Sequence, residues 1–199
     1  MARLEWAFAG TSNTTLTDKL DDDGNRVPHC EWKHWVDSNT NSPGTDEGDM
    51  YTQPDGKTLE RGEMVNPATG TMQAYEELWR DEEVHLVPGE DKKWSVVLVL
   101  QDEVNGVKGM VVRIGKWCQG ILKVVSQGEE GNEISETSVE RWLWVDGSMA
   151  GSNGNWKRVM KLGRLFLPCS LTFEPERIVD GSQIAFGDYK WVVVETFSW

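Results

Sequence analysis

Val107-Lys108-Gly109-Met110-Val111-Val112-Arg113-Ile114-Gly115-Lys116-Trp117-Cys118-Gln119-Gly120-Ile121-Leu122-Lys123-Val124-Val125 is dense in β-branched residues and reads as strand. Residues 94–101, 138–145, 156–168 and 189–197 share that composition, being rich in Val, Ile and Trp. Asn105-Gly106, Asp146-Gly147, Asn153-Gly154 and Asp180-Gly181 punctuate them, and such dipeptides supply the positive φ of tight hairpin turns. Upstream, residues 4–9 alternate apolar with polar, which places Leu4, Trp6 and Phe8 on one face. Residues 29–37, 58–65 and 71–80 are further strands, the last two joined by the turn sequence Asn66-Pro67-Ala68-Thr69-Gly70. No stretch sustains a helical 3.6 period over eleven residues, although 71–83 is ambiguous. Residues 11–28 and the acidic stretch 38–56 read as loops, and 81–93 as a charged connector. The expectation is one all-β domain over residues 1–199. It is an antiparallel up-and-down β-barrel of about ten strands with a long acidic loop.

Eleven tryptophans occur among the 199 residues, nearly all in alternating stretches. Strands that share Trp on one face suggest an aromatic-lined interior suited to a flat, largely apolar small molecule. Within the strands, Tyr75, Glu77 and Trp79 share a face, as do Trp142 and Trp144 with Glu140. Arg113 and Trp117 share another, and Trp32 and His34 alternate with Lys33 and Trp35. Large aromatics beside one charged or titratable group are unlike a purely structural core, in which charges are seldom buried unpaired.

Charge and motifs narrow the function. The net charge is −13 and is uneven: residues 1–91 hold 20 acids and 7 bases, whereas 92–199 hold 13 of each. So negative a surface repels phosphate backbones and anionic lipid, which argues against nucleic-acid and membrane partners. Cys30, Cys118 and Cys169 form neither a CxxC pair nor a disulfide framework, and the N-terminus lacks an apolar signal segment, so the expected compartment is the cytoplasm. His29, His34 and His85 are too scattered for a metal site, and no GxSxG, P-loop or GxGxxG motif is present.

Several blocks carry a resemblance. Leu4-Glu5-Trp6-Ala7-Phe8-Ala9-Gly10-Thr11, Trp35-Val36-Asp37-Ser38, Asp46-Glu47-Gly48-Asp49-Met50-Tyr51, Met64 to Gly70, Tyr75 to Arg80 and above all Gly109 to Gly120 resemble a fungal family of calycin-like β-barrel proteins. Members begin with additional strands ahead of the Glu-Trp-Ala-Phe-Ala-Gly block, and this chain opens almost directly on it. The resemblance therefore implies a barrel with fewer strands, or one that a second copy completes as a homodimer. It also implies a possible activity, since calycin-like barrels of fungal specialised metabolism include hetero-Diels–Alderases that join tropolone-derived quinone methides to a terpene alkene.

On that reading the protein is a cofactor-free dehydrating cyclase acting on a hydrophobic aromatic or terpenoid molecule, with no metal. Arg113 is the candidate donor to a substrate oxygen, and Glu77 or His34 the acid/base. Trp32, Trp79, Trp117, Trp142 and Trp144 would form the walls, with Tyr51 and Gln119 supplying neutral hydrogen bonds. Two alternatives use the same sequence differently. One is a non-catalytic carrier of a hydrophobic metabolite; the other is a protein-interaction scaffold whose contact surface is the acidic segment 37–63.

Overall fold

The computed structural model describes residues 4–66, 69–128, 131–147 and 154–199. The turn residues Pro67, Ala68 and Asn153 lie outside them. The chain divides into two compact units, one made of residues 10–35 and 42–83, the other of 1–9, 36–41 and 84–199.

The first unit is built on a five-stranded meander: β1 (Phe8–Leu20), β2 (Arg26–Asp37), β3 (Thr45–Thr52), β4 (Thr58–Val65) and β5 (Met72–Trp79), hydrogen-bonded in chain order. Two segments expected as loops are strands here. Most of 11–28 belongs to β1 and β2, because its threonines favour the pleated backbone and only Asp21 to Asn25 turns. That turn is closed by Asp21, whose Oδ1 accepts the amides of Asn25 at 2.7 Å and Asp23 at 3.1 Å. The acidic segment 38–56 likewise contains β3, which is paired on both sides, His29 to Asp49 with β2 and Gly48 to Gly62 with β4. Asp46 lies on one face of β3, and Glu47 and Asp49 lie on the other, where His29 reaches both.

The second unit holds a seven-stranded sheet: β6 (Trp94–Asp102), β7 (Val107–Ile114), β8 (Trp117–Gln127), β9 (Glu133–Val145), β10 (Asn155–Leu162), β11 (Gln183–Phe186) and β12 (Tyr189–Ser198). Their spatial order is β10-β9-β8-β7-β6-β12-β11. Residues 107–125 form a hairpin rather than one strand. Gly115 takes φ +51 and Ile114 pairs with Trp117, so Arg113 and Trp117 lie on opposite faces. A Cβ at residue 115 would also stand 2.5 Å from the His85 carbonyl oxygen, so glycine is required there on both counts. The core is formed by Val96, Leu98, Leu100, Val111, Leu122, Trp191 and Val193, joined by Leu167 and Cys169. Residues 156–168, expected as strand, end as strand at Leu162, and two short 3-10 helices follow, Pro168–Phe173 and Pro175–Arg177. Gly163 takes φ +79, which ends the extended run, and Pro168 opens the first helix.

The fold is thus all-β and antiparallel with almost no helix. The described residues give twelve strands in two sheets, and neither strand order closes on itself among them. Among the described residues no helix is long and apolar enough to cross a membrane.

Candidate functional site, an aromatic and carboxylate face on the five-stranded sheet

Register assembles this site. Trp32 pairs with Asp46, Gly48 with Gly62, Gly62 with Tyr75, Glu60 with Glu77, and Thr58 with Trp79. Directly opposed residues of an antiparallel pair point the same way. One face of the sheet therefore carries Trp32, Asp46, Glu60, Tyr75, Glu77 and Trp79 together.

The two facing glycines make its floor. A Cβ at residue 62 would lie 2.5 Å from the Tyr75 ring and hydroxyl and 2.6 Å from the Glu47 carbonyl oxygen. A Cβ at residue 48 would lie 2.6 Å from Glu60 Cγ. Across that floor Glu60 lies flat, only 2% exposed. The Tyr75 hydroxyl donates to Glu60 Oε1 at 2.6 Å and the Trp79 indole N–H donates to Oε2 at 2.7 Å. Both donors are neutral, so each oxygen is satisfied without a counter-cation, as a buried carboxylate requires at minimum. Burial, reinforced by Glu60 and Asp46, pushes the Tyr75 phenol far above its ordinary value. Glu77, on the exposed side of the cluster, is also raised, by partial desolvation first and then by the like charges of Glu60 and Asp46.

The opposite face of the sheet neutralises its own acids. Asp49 accepts from His29 Nδ1 at 2.9 Å and pairs with Lys19, and Arg61 Nε donates to Glu76 at 2.9 Å. The Arg61 guanidinium also covers the Tyr51 ring at 5.2 Å, so Tyr51 sits away from the aromatic cluster. His34, two residues beyond Trp32 in β2, is on the Trp32 side but buried, and its backbone N–H donates to the Gly44 carbonyl.

The other five candidates belong to the seven-stranded unit. Arg113 is fully buried, and its donors go to protein groups: Nε to the Gly115 carbonyl at 3.1 Å, Nη1 to the Thr172 carbonyl at 2.7 Å, and Nη2 to Glu90 at 2.5 Å. It ties the connector and the first 3-10 helix to β7, with its guanidinium 5.0 Å above the Trp156 ring. Trp142 donates to Glu140 at 2.9 Å and meets Phe173 edge-on at 5.4 Å, Phe173 stacks on Trp156 at 4.2 Å, and Trp144 meets Trp156 at 6.0 Å. These indoles pack on one another. Trp117, 40% exposed, and Gln119, which accepts from Arg141 at 3.1 Å, lie on the far face of β8. An open groove of about 880 Å³ between β6, β11 and β12, lined by Val99, Gln101, Tyr189, Val192 and Val194, contains none of the candidates.

Of the sequence candidates, the fold brings Glu77, Trp79 and Trp32 to one surface. It adds Glu60, Tyr75 and Asp46, of which only Tyr75 was grouped with Glu77 and Trp79 by alternation. Glu60 gives no local signal in the sequence, because the donors that hold it stand on the neighbouring strand β5. Rings and carboxylates on one face attract positive charge by quadrupole and Coulomb terms together.

An antiparallel, two-sheet, nearly helix-free protein of this size defines the structural class. The chain belongs to the HRI1 family, whose model matches residues 1–195. Protein HRI1 of Saccharomyces cerevisiae strain Lalvin QA23 is 29% identical over 209 residues, covering 96% of this chain and 79% of that protein. The strain YJM789 protein is similar to the same extent. The crystal structure of uncharacterized protein YLR301w from Saccharomyces cerevisiae matches the fold with TM-score 0.62 at 24% identity, covering 97% of this chain and 79% of that one.

Proposed function

We propose that the protein is a non-catalytic binding protein that takes a cationic group on the face formed by Trp32, Asp46, Glu60, Tyr75, Glu77 and Trp79. The observation that carries this reading is Glu60, a buried carboxylate held by two neutral donors, with Asp46 and Glu77 beside it. Such a face is completed by an organic cation such as a guanidinium or ammonium side chain, which meets the rings and the carboxylates together. The test is titration of the full chain with N-acetyl-arginine amide, following the indole N–H signal of Trp79 by nuclear magnetic resonance. A saturable shift of that signal, weakened by Glu77→Gln, is expected. A Trp79 signal that stays put throughout the titration overturns the reading.

A second reading keeps the cyclase chemistry, with Glu77 as general acid in a calycin-like barrel. Its support is the raised Glu77 carboxyl beside Trp79, since a general acid works best when its affinity for the proton lies near the operating pH. In that case Arg113 acts by holding the connector, and the substrate oxygen finds its donor elsewhere, for example Tyr75. Loss of turnover of a benzylic-type alcohol precursor in Glu77→Gln, with binding retained, is the outcome this reading requires. We infer a cytoplasmic location as well, a reading that the free thiols of Cys30, Cys118 and Cys169 support.

A further inference from the structure

Among the described residues β5 is the terminal strand of the five-stranded sheet, and all of its residues except Tyr75 are exposed. Its pairing with β4 runs from Thr58 opposite Trp79 to Val65 opposite Met72 without a bulge. The strand Met72-Gln73-Ala74-Tyr75-Glu76-Glu77-Leu78-Trp79 contains no Pro and no Lys, two of the devices that usually blunt a sheet edge. An edge of this kind presents backbone N–H and C=O groups to an added strand.

The side chains say what that strand must look like. Toward the aromatic and carboxylate face β5 presents Gln73, Tyr75, Glu77 and Trp79. Toward the other it presents Met72, Ala74 and Leu78, together with Glu76, which Arg61 already neutralises. A second copy of β5 is disfavoured, because two-fold antiparallel pairing about residue 76 or residue 77 sets Glu76 or Glu77 opposite its own counterpart. The surrounding unit carries sixteen acids against six bases over residues 10–35 and 42–83, which selects a basic occupant.

We propose that an extended peptide adds to β5 as a sixth strand, with Lys or Arg at alternate positions meeting Glu77 and the rings, and apolar residues between them meeting Ala74 and Leu78. This rests on the cation-binding reading of the same face and specifies the partner as a basic, alternating segment of protein.

The experiment uses the full chain and a fluorescein-labelled decapeptide of alternating Lys and Val, read by anisotropy. The matching Glu and Val decapeptide is expected to bind roughly ten-fold weaker or less tightly still. Two further Lys and Val peptides carry backbone N-methyl groups on one or the other alternate set of residues. Strand addition uses only one set of amides, so one methylated peptide keeps its affinity while the other loses roughly ten-fold or more. Amides of residues 72–79 should also exchange more slowly in the complex. Equal binding by both methylated peptides, or unchanged exchange in 72–79, overturns strand addition. If N-acetyl-arginine amide shifts the Trp79 signal but no Lys and Val peptide binds, strand addition alone fails. If neither binds, the cation-binding reading falls with it. Self-association through 72–79 that excludes the peptide, seen by ultracentrifugation, also overturns the proposal in favour of a second copy.

Discussion

At the scale of single residues, Arg113 and Glu60 show how differently two buried charges are employed. Arg113 is enclosed by two carbonyls, a carboxylate and an indole ring, so removing it strands Glu90, a residue already raised by burial despite the arginine beside it. Arg113→Met should therefore cost about 3–5 kcal/mol in urea unfolding, the range for breaking one side of a buried pair. A cost near zero would mean that the guanidinium is available to a ligand after all. Glu60 is held by neutral donors, and Tyr75→Phe should cost about 1–3 kcal/mol by leaving Oε1 without a partner. Glu77 behaves in the opposite sense. A carboxyl raised on folding contributes its stabilising share at acid pH and loses it as pH climbs through the folded-state value. Replacing it by Gln removes like-charge repulsion with Glu60 and Asp46. Glu77→Gln should thus be neutral to slightly stabilising at pH 7, by within about 1 kcal/mol for so exposed a group, with its advantage fading in acid. Thermal melts at pH 7 and pH 4 check this sign.

Elements decide which of these residues meet. Gly48 and Gly62 face each other across β3 and β4, and the space they leave holds Glu60 and Tyr75. Gly62→Ala places a methyl against a backbone carbonyl that cannot move away, as well as against the Tyr75 ring. It should cost about 1–3 kcal/mol, as overpacking does, and displace Tyr75 from Glu60, visible as a shifted Trp79 indole signal. Alternation made Tyr75, Glu77 and Trp79 legible as one face, because a strand's period is fixed by backbone geometry. It failed at 107–125, since Gly115-Lys116 turns without the Asn-Gly or Asp-Gly signature, and one miscounted turn moved Trp117 to the other side of the sheet. It is no guide at 38–56, where acidic composition reads as solvated loop although Asp46 and Asp49 lie on opposite faces of β3. Glu60 stayed hidden for a third reason. Burial of an acid depends on cross-strand neighbours that no local window contains.

For the whole molecule the distribution of charge governs encounter. The five-stranded unit has ten acids in excess, and the remaining residues hold seventeen acids against fourteen bases. A field from that many like charges accelerates approach of a basic partner well before contact, and salt shortens its range from about 10 Å at 0.1 M to about 3 Å at 1 M. Contacts already formed on the face, shielded by Trp79 and Tyr75, feel salt less. The association rate of the Lys and Val peptide should therefore fall by roughly ten-fold or more between 0.05 M and 0.5 M sodium chloride, with the dissociation rate changing little. Stopped-flow anisotropy separates the two rates. If salt instead speeds dissociation and leaves association alone, the charges act inside the docked complex, and the excess negative charge of this unit steers nothing.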